Sequence, residues 1–320
     1  MPKEPYIVRK ISPGTKDRLL NSIMGDYRYV RKADLAGICV ELITDDEEFR
    51  NMWIESFSPM SNAVRPHCRV VNVKRPDYGK LSVFYEPLSK TVFAFNNDYY
   101  GYTKSLALAA AGDFLEEYHS IHSRFSVHGS CVDFKGRGVA LIAPSGTGKT
   151  TLSYGLLLKE NAKLVADDWF YVMMTKTDAV AYASEKSSYI RDDIGKTWGI
   201  YQKLVDDTKL DTHQRGVVNI ERAIGFHRAK WNTTLNTIII LKRDERDEAG
   251  LTPLTVRDAV NYLVKNYFCN PHHRVRNERK KRLRKNFFRK LFSKVDLYML
   301  NTAGDTPEES LKKIAGLVAD

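Results

Sequence analysis

The chain of 320 residues has no long apolar run. Its longest candidates, "LALAAAG" and "TIIIL", fall far short of the roughly 20 residues a bilayer span needs, so no transmembrane segment is expected. The opening "MPKEPYIVRK" lacks the apolar core of a secretory signal. Only four cysteines occur (Cys39, Cys68, Cys131 and Cys269), with no CxxC pair. That spacing excludes a disulfide scaffold and a zinc ribbon, and it suits free thiols in a cytoplasmic location, with one oxidised pair left open. Cys269, His272 and His273 are only three local candidate ligands, amid positive charge, too few for a structural zinc. Acids are nearly missing from one stretch: "RVRNERKKRLRKNFFRKLF", residues 274–292, has ten Lys/Arg and a single Glu. The chain carries +11 in total, but outside that stretch 40 bases face 38 acids. It is a near-neutral protein with one basic element.

What is present reads as α/β, in two parts: a small α/β domain over residues 1–102 and a larger one over 103–320. In the first, "GICVELIT" is strand-like. Thr44 and Glu47 have capping-box spacing, and Phe49, Met52, Trp53 and Phe57 follow at helical intervals. "RVVNVK", "LSVFY" and "TVFAF" read as successive strands of a meander. A helix of about 20 residues is expected from Thr103 to His122. Beyond it, strands "FSVHGSCVDF", "VALIA", "KLVAD", "TIIILKRD" and "VDLYML" alternate with helical patterns, one of them near Lys149–Glu160. Thr306, Pro307 and Glu309 mark the start of a last helix.

The chemistry centres on "APSGTGKTT", residues 143–151. The phosphate-binding pattern G-x-x-x-x-G-K-[ST] is met except at its first position, which is Ala143. That position ends a strand and needs a tight fit, which alanine supplies. Ser145, Gly146, Thr147, Gly148, Lys149, Thr150 and Thr151 form the candidate ATP cradle. Its glycines turn backbone N–H groups toward phosphate oxygens, and the following helix adds its positive end. Lys149 supplies a cation for the β/γ-phosphates and Thr150 a hydroxyl for Mg2+. Asp167 and Asp168 follow 18 and 19 residues after Lys149, at the end of a short apolar strand. One carboxylate can hold the metal while the other takes a proton from an attacking hydroxyl. The pattern does not say which does which.

The run "VHGSCVDFKGRGVALIAPSGTGKTTLSYGLLLKENAKLVADD" resembles the catalytic core of bacterial HPr kinase/phosphorylase. These are P-loop kinases of the phosphoenolpyruvate carboxykinase type. The match covers Phe125 to about Tyr171 and rests on Val127-His128-Gly129, the Gly136/Gly138 turn, the loop and the Asp pair. The C-terminal "DTPEES" helix fits more loosely. Residues 1–100 do not look like the family's N-terminal domain, so the similarity is to related proteins with a divergent front domain. The resemblance implies an Mg2+- and ATP-dependent kinase in which Lys149, Asp167, Asp168 and His128 are catalytic and Thr150, Asp167 and Asp168 contact metal. It also implies a homo-oligomer. The family's acid before Ile-Arg-Gly is replaced here by Tyr189 in "YIRDDIG". Arg191 matches the arginine as a substrate contact or makes a surface ion pair, and Asp192 or Asp193 stands in as a metal ligand. Arg215, Arg222 and Arg228 are candidates for a distal catalytic arginine. These departures keep phosphorylase activity, and HPr as acceptor, from being carried over.

The expected function is γ-phosphoryl transfer to a hydroxyl, of a protein serine or a small-molecule alcohol or a nucleic acid. The rival is a nucleotide-binding regulator or nucleic-acid-associated NTPase without kinase activity. Residues 274–292 read as an amphipathic helix, with Leu283, Phe287, Phe288, Leu291 and Phe292 on one face. Three uses fit: a docked helix with a solvated basic face, a site for an acidic or phosphate-rich partner including RNA or DNA, or a membrane-surface helix.

Overall fold

A computed structural model describes residues 6–211 and 214–317. The chain is mixed α/β, and its contacts divide it into two compact units. One contains the residues up to His122 together with 271–280, and the other contains 123–270 with the residues from Lys281 onward. The expected division at 102/103 falls inside the helix Tyr100–Glu117.

The first unit is built on a seven-stranded mixed sheet. Its order is Val8–Lys10, Ser82–Glu86, Thr91–Phe95, Cys68–Asn72, Ile38–Thr44, Tyr29–Leu35, Ser58–Pro59. The expected meander is not formed. Thr91–Phe95 lies between the two strands that precede it, parallel to Cys68–Asn72 and antiparallel to Ser82–Glu86. Ile43, Val71 and Phe93 align across three parallel strands and pack with Leu19 of the helix Pro13–Ser22 and with Ile23, which caps its end. The helix Glu47–Ser56 is capped by Asp46, whose Oδ1 accepts from Phe49 N at 3.1 Å. Thr44, the expected cap, is the last strand residue, and its hydroxyl accepts from Asp46 N. The helix expected over Thr103–His122 is two pieces, Tyr100–Glu117 and His119–His122.

In the second unit an eight-stranded sheet holds every strand expected there. Arg124–Phe134 pairs along its length with Trp169–Met174, Ala162–Ala166 and Arg137–Ile142. Arg137–Ile142 runs parallel to Asn232–Lys242, which pairs onward with Ala179–Ala183 and Asp296–Asn301. Since Ala179–Ala183 pairs with Trp169–Met174, five of these strands form a closed circuit. Alternation decides what each face covers. Val139, Leu141, Ile239 and Leu241 pack with Leu152 and Leu156 of the helix Lys149–Leu156 and with Ile314 of the last helix. Ala140, Ile142, Ile238 and Ile240 pack with Leu263 of the helix Val256–Lys265 and with Phe287, Phe288, Leu291 and Phe292. The last helix starts as expected: Thr306 accepts from Glu309 N, Glu309 answers to Thr306 N, and Pro307 is its first residue.

The basic stretch is helical from Glu278 to Phe292 rather than from Arg274. Its four buried apolar residues belong to the second unit's core, so the membrane-surface use lacks its apolar face. No helix among the described residues is long and apolar enough to cross a membrane.

Candidate functional site

Residues 143–148 link the strand Arg137–Ile142 to the helix Lys149–Leu156. Gly146 and Gly148 have φ of +83° and +96°, a backbone state L side chains rarely adopt, and an added Cβ at either would meet no atom within 4 Å. Glycine is needed there for the turn itself, and space lies open beside it. Ala143 is fully buried at the strand end, where the sequence expected a close fit. Thr147 Oγ1 donates to Pro144 O at 2.8 Å, tying the turn back on itself. Ser145 and Gly146 are exposed, while Thr147, Gly148, Thr150 and Thr151 are half-buried. If the loop holds ATP, Gly148→Val should strain the turn by about 1–2 kcal/mol and weaken that binding at least tenfold. Titration with a fluorescent ATP analogue checks this, and unchanged affinity would remove the loop from the binding site.

Lys149 is 7% exposed, with Nζ donating to Ala143 O at 3.0 Å. Burial lowers its pKa, and the nearby Asp168, Cys269 and Asp167 partly offset that. The helix behind it is fixed by Trp198, which the sequence reading missed. Its Nε1 donates to Thr151 O at 2.8 Å. A Cβ on Gly155 would come within 2.6 Å of the indole, so that glycine is what lets the ring lie against the helix.

Asp167 and Asp168 leave the end of Ala162–Ala166 in different surroundings. Asp167 is 3% exposed, and its Oδ2 accepts from Ser188 Oγ at 2.6 Å. The Asp168 side chain is 38% exposed, with Oδ1 3.3 Å from His128 Nε2. Asp168 O also accepts from Gly129 N at 2.9 Å, which pins this turn to the neighbouring strand.

His128 is 3% exposed and held from both sides. Its Nδ1 lies 2.6 Å from Cys269 O, and Trp169 packs edge-on at 5.8 Å. Burial and the Lys149 charge lower its pKa, against the pull of Asp168. The backbone that supplies this carbonyl is unusual. Tyr267, Phe268 and Cys269 all have φ between +51° and +57°, with no glycine among them. Such a turn costs energy at each residue and has no signature in the sequence.

The structure therefore brings Lys149, Asp167, Asp168 and His128 to one neighbourhood. Ser188 and the Cys269 carbonyl join them. The arginine candidates stand apart from one another in role. Arg191 and Arg215 face each other across the two-stranded ladder Ser187–Arg191 and Arg215–Asn219. Arg191 is exposed, with Nε 3.6 Å from Asp193. Arg215 N donates to Asp211 Oδ1 at 3.0 Å. Arg228 donates to Leu157 O and Lys159 O, closing the end of the helix that follows the loop, which is a structural duty. The side chain of Arg222 lies outside the described residues. Asp192 pairs with Lys196 at 3.1 Å, which lowers its pKa, and Asp193 pairs with Arg191.

The donor chemistry fits Mg2+. The Thr150 hydroxyl and the two carboxylates are hard oxygen ligands of the kind Mg2+ takes along with phosphate and water. Among the described residues no three His, Cys, Asp or Glu side chains gather in an arrangement that could hold a metal ion. All four thiols are free and buried. No protein-family model matches the chain, and a search of curated proteins finds no match either.

Proposed function

We propose that the chain is an ATP-dependent phosphotransferase of the HPr kinase type, moving the γ-phosphoryl group to a hydroxyl. The observation that carries this reading is the gathering of a buried lysine, two unlike carboxylates and a histidine beside one glycine turn. Backbone N–H groups of residues 145–150 and the helix end receive the phosphate oxygens. Lys149 swings from Ala143 O to the β/γ-phosphates, where its charge offsets the charge that develops in transfer. Mg2+, when bound, would offset the negative charge of the phosphates. Thr150 and Asp167 would hold it.

Asp168 is the base in this scheme. It reaches solvent, and His128 Nε2 beside it can share the proton it takes. The acceptor O–H bond breaks as its proton passes to Asp168. The oxygen bonds to the γ-phosphorus, and the bond from that phosphorus to the β–γ bridging oxygen breaks, releasing ADP. Ser188 fixes Asp167 in one rotamer, and the Cys269 carbonyl fixes the His128 ring. Arg191 and Arg215 remain candidates for the acceptor side, one exposed and one half-buried.

Asp168→Asn is expected to cut transfer by about 10²–10⁴-fold with ATP affinity nearly unchanged. Asp167→Asn should raise the Mg2+ concentration needed for half-maximal rate. Single-turnover assays over a Mg2+ series separate the two, and full transfer by both variants would overturn the assignment. The acceptor class is found by incubating the protein with γ-labelled ATP and fractionated lysate. Label in protein or in a small alcohol supports the kinase. ATP binding with no labelled acceptor identifies the alternative, a nucleotide-binding regulator or NTPase.

A further inference from the structure

The helix Glu278–Phe292 has spare charge, but less than its sequence implies. Lys280 is buried against Asp113, Glu116 and Glu117, and Arg279 pairs with Glu117. What is left lies in the second unit. Arg282, Arg289 and Lys290 are exposed and Lys285 is half-buried. Among the described residues none of these four meets a carboxylate, and their one side-chain partner is Asn286, whose Oδ1 accepts from Arg289 Nη1 at 3.4 Å. At 100° and 1.5 Å per residue, Arg282, Lys285 and Arg289 fall on one stripe about 10 Å long, with steps of about 4.5 and 6 Å. Lys294 extends this end, its Nζ donating to Lys176 O at 2.8 Å.

Two properties select the partner. The face is cationic without an apolar centre: Phe287, Phe288, Leu291 and Phe292 are all turned into the core. A protein interface would need a desolvated apolar or aromatic anchor there. A bilayer would need the apolar side that the core has taken. A phosphate backbone needs neither, only cations repeated at close intervals along a line. We propose that the Arg282–Lys294 face binds the sugar-phosphate backbone of a nucleic acid without reading its sequence. The nucleotide loop plays no part in this contact, and the proposal stands apart from the kinase reading.

The test is fluorescence anisotropy with labelled 20-mers (single-stranded RNA, single-stranded DNA and a DNA duplex) from 50 to 200 mM salt. The wild type should bind at micromolar levels at 50 mM salt and weaken steeply with salt. Arg282→Gln/Lys285→Gln/Arg289→Gln/Lys290→Gln should bind at least tenfold more weakly. Its log–log salt slope should flatten by about 2.8 on single strands, at roughly 0.7 per phosphate contact. A matched variant, Lys135→Gln/Arg137→Gln/Lys159→Gln/Lys163→Gln, removes equal charge from other exposed sites and should bind like the wild type. Comparing the three nucleic acids tells single strand from duplex. Equal loss in both variants would reduce the effect to net charge and overturn the proposal. So would absence of binding at 50 mM salt, or equal competition by polyglutamate or by phosphatidylserine vesicles.

Discussion

Lys149→Met should lose ATP binding and phosphoryl transfer by about 10²–10³-fold, yet melt no lower than the wild type. Function and stability part company at this residue because its ammonium is buried. Burial lowers its pKa, meaning that the charged form is disfavoured where it sits, and the nearby Asp168, Cys269 and Asp167 only partly compensate. Methionine keeps the apolar stem and removes the ion, so the fold loses a cost and one hydrogen bond to Ala143 O. Transfer loses the cation that meets the developing charge, a loss of the size seen when one preorganised donor is deleted. The measurements are a thermal melt, a calorimetric ATP titration and a single-turnover assay on the same sample. A variant that melts well below the wild type would make Lys149 a structural residue. One that keeps ATP affinity would take the phosphates elsewhere.

The loop and the Asp pair were legible because their geometry is local. A strand, two positive-φ glycines and a helix start occupy thirteen consecutive residues, 137–149, and such chemistry is written in residue type. The residues that hold the site in place were not legible. Ser188 reaches Asp167 from 21 positions away, Trp198 reaches Thr151 from 47 and the Cys269 carbonyl reaches His128 from 141. Each depends on how the sheet folds over, and the last also depends on a left-handed turn that no glycine announces. The meander failed for a related reason. Strand-like runs in sequence order do not disclose that the third inserts between the first two. Part of the charge of the basic stretch is answered by Asp113, Glu116 and Glu117, on the helix Tyr100–Glu117, which no spacing along the chain relates to it. Charge counted along the chain overstates charge exposed by the fold.

That buried pairing carries the largest stability prediction, for Asp113→Asn in the first unit. Asp113 is buried between two lysines. Its Oδ2 is 2.7 Å from Lys90 Nζ and accepts from Tyr85 Oη at 2.7 Å, and its Oδ1 is 2.9 Å from Lys280 Nζ. Removing the carboxylate leaves Lys90 buried with no carboxylate at hand, a loss of about 3–5 kcal/mol. For a unit of this size the melting temperature should fall by roughly 10 °C or more. The pH dependence gives an independent sign. Burial alone would raise the Asp113 pKa, but Lys280 and Lys90 outweigh it and leave it lowered. Its stabilisation is therefore complete above the unfolded value near 4 and is lost as pH falls through the lower folded one. Lys280 runs the other way: Glu116 and Asp113 outweigh burial and raise its pKa, so its share persists until pH climbs past the unfolded lysine value. The wild type should hold its melting temperature down to about pH 5 and lose it below, while Asp113→Asn starts low and changes less over that acid range. Asp113→Leu/Lys90→Met, which removes both sides of the buried pair, should recover most of the loss, because ions that are absent need no desolvation. If the double variant is no more stable than Asp113→Asn, packing rather than charge accounts for the cluster.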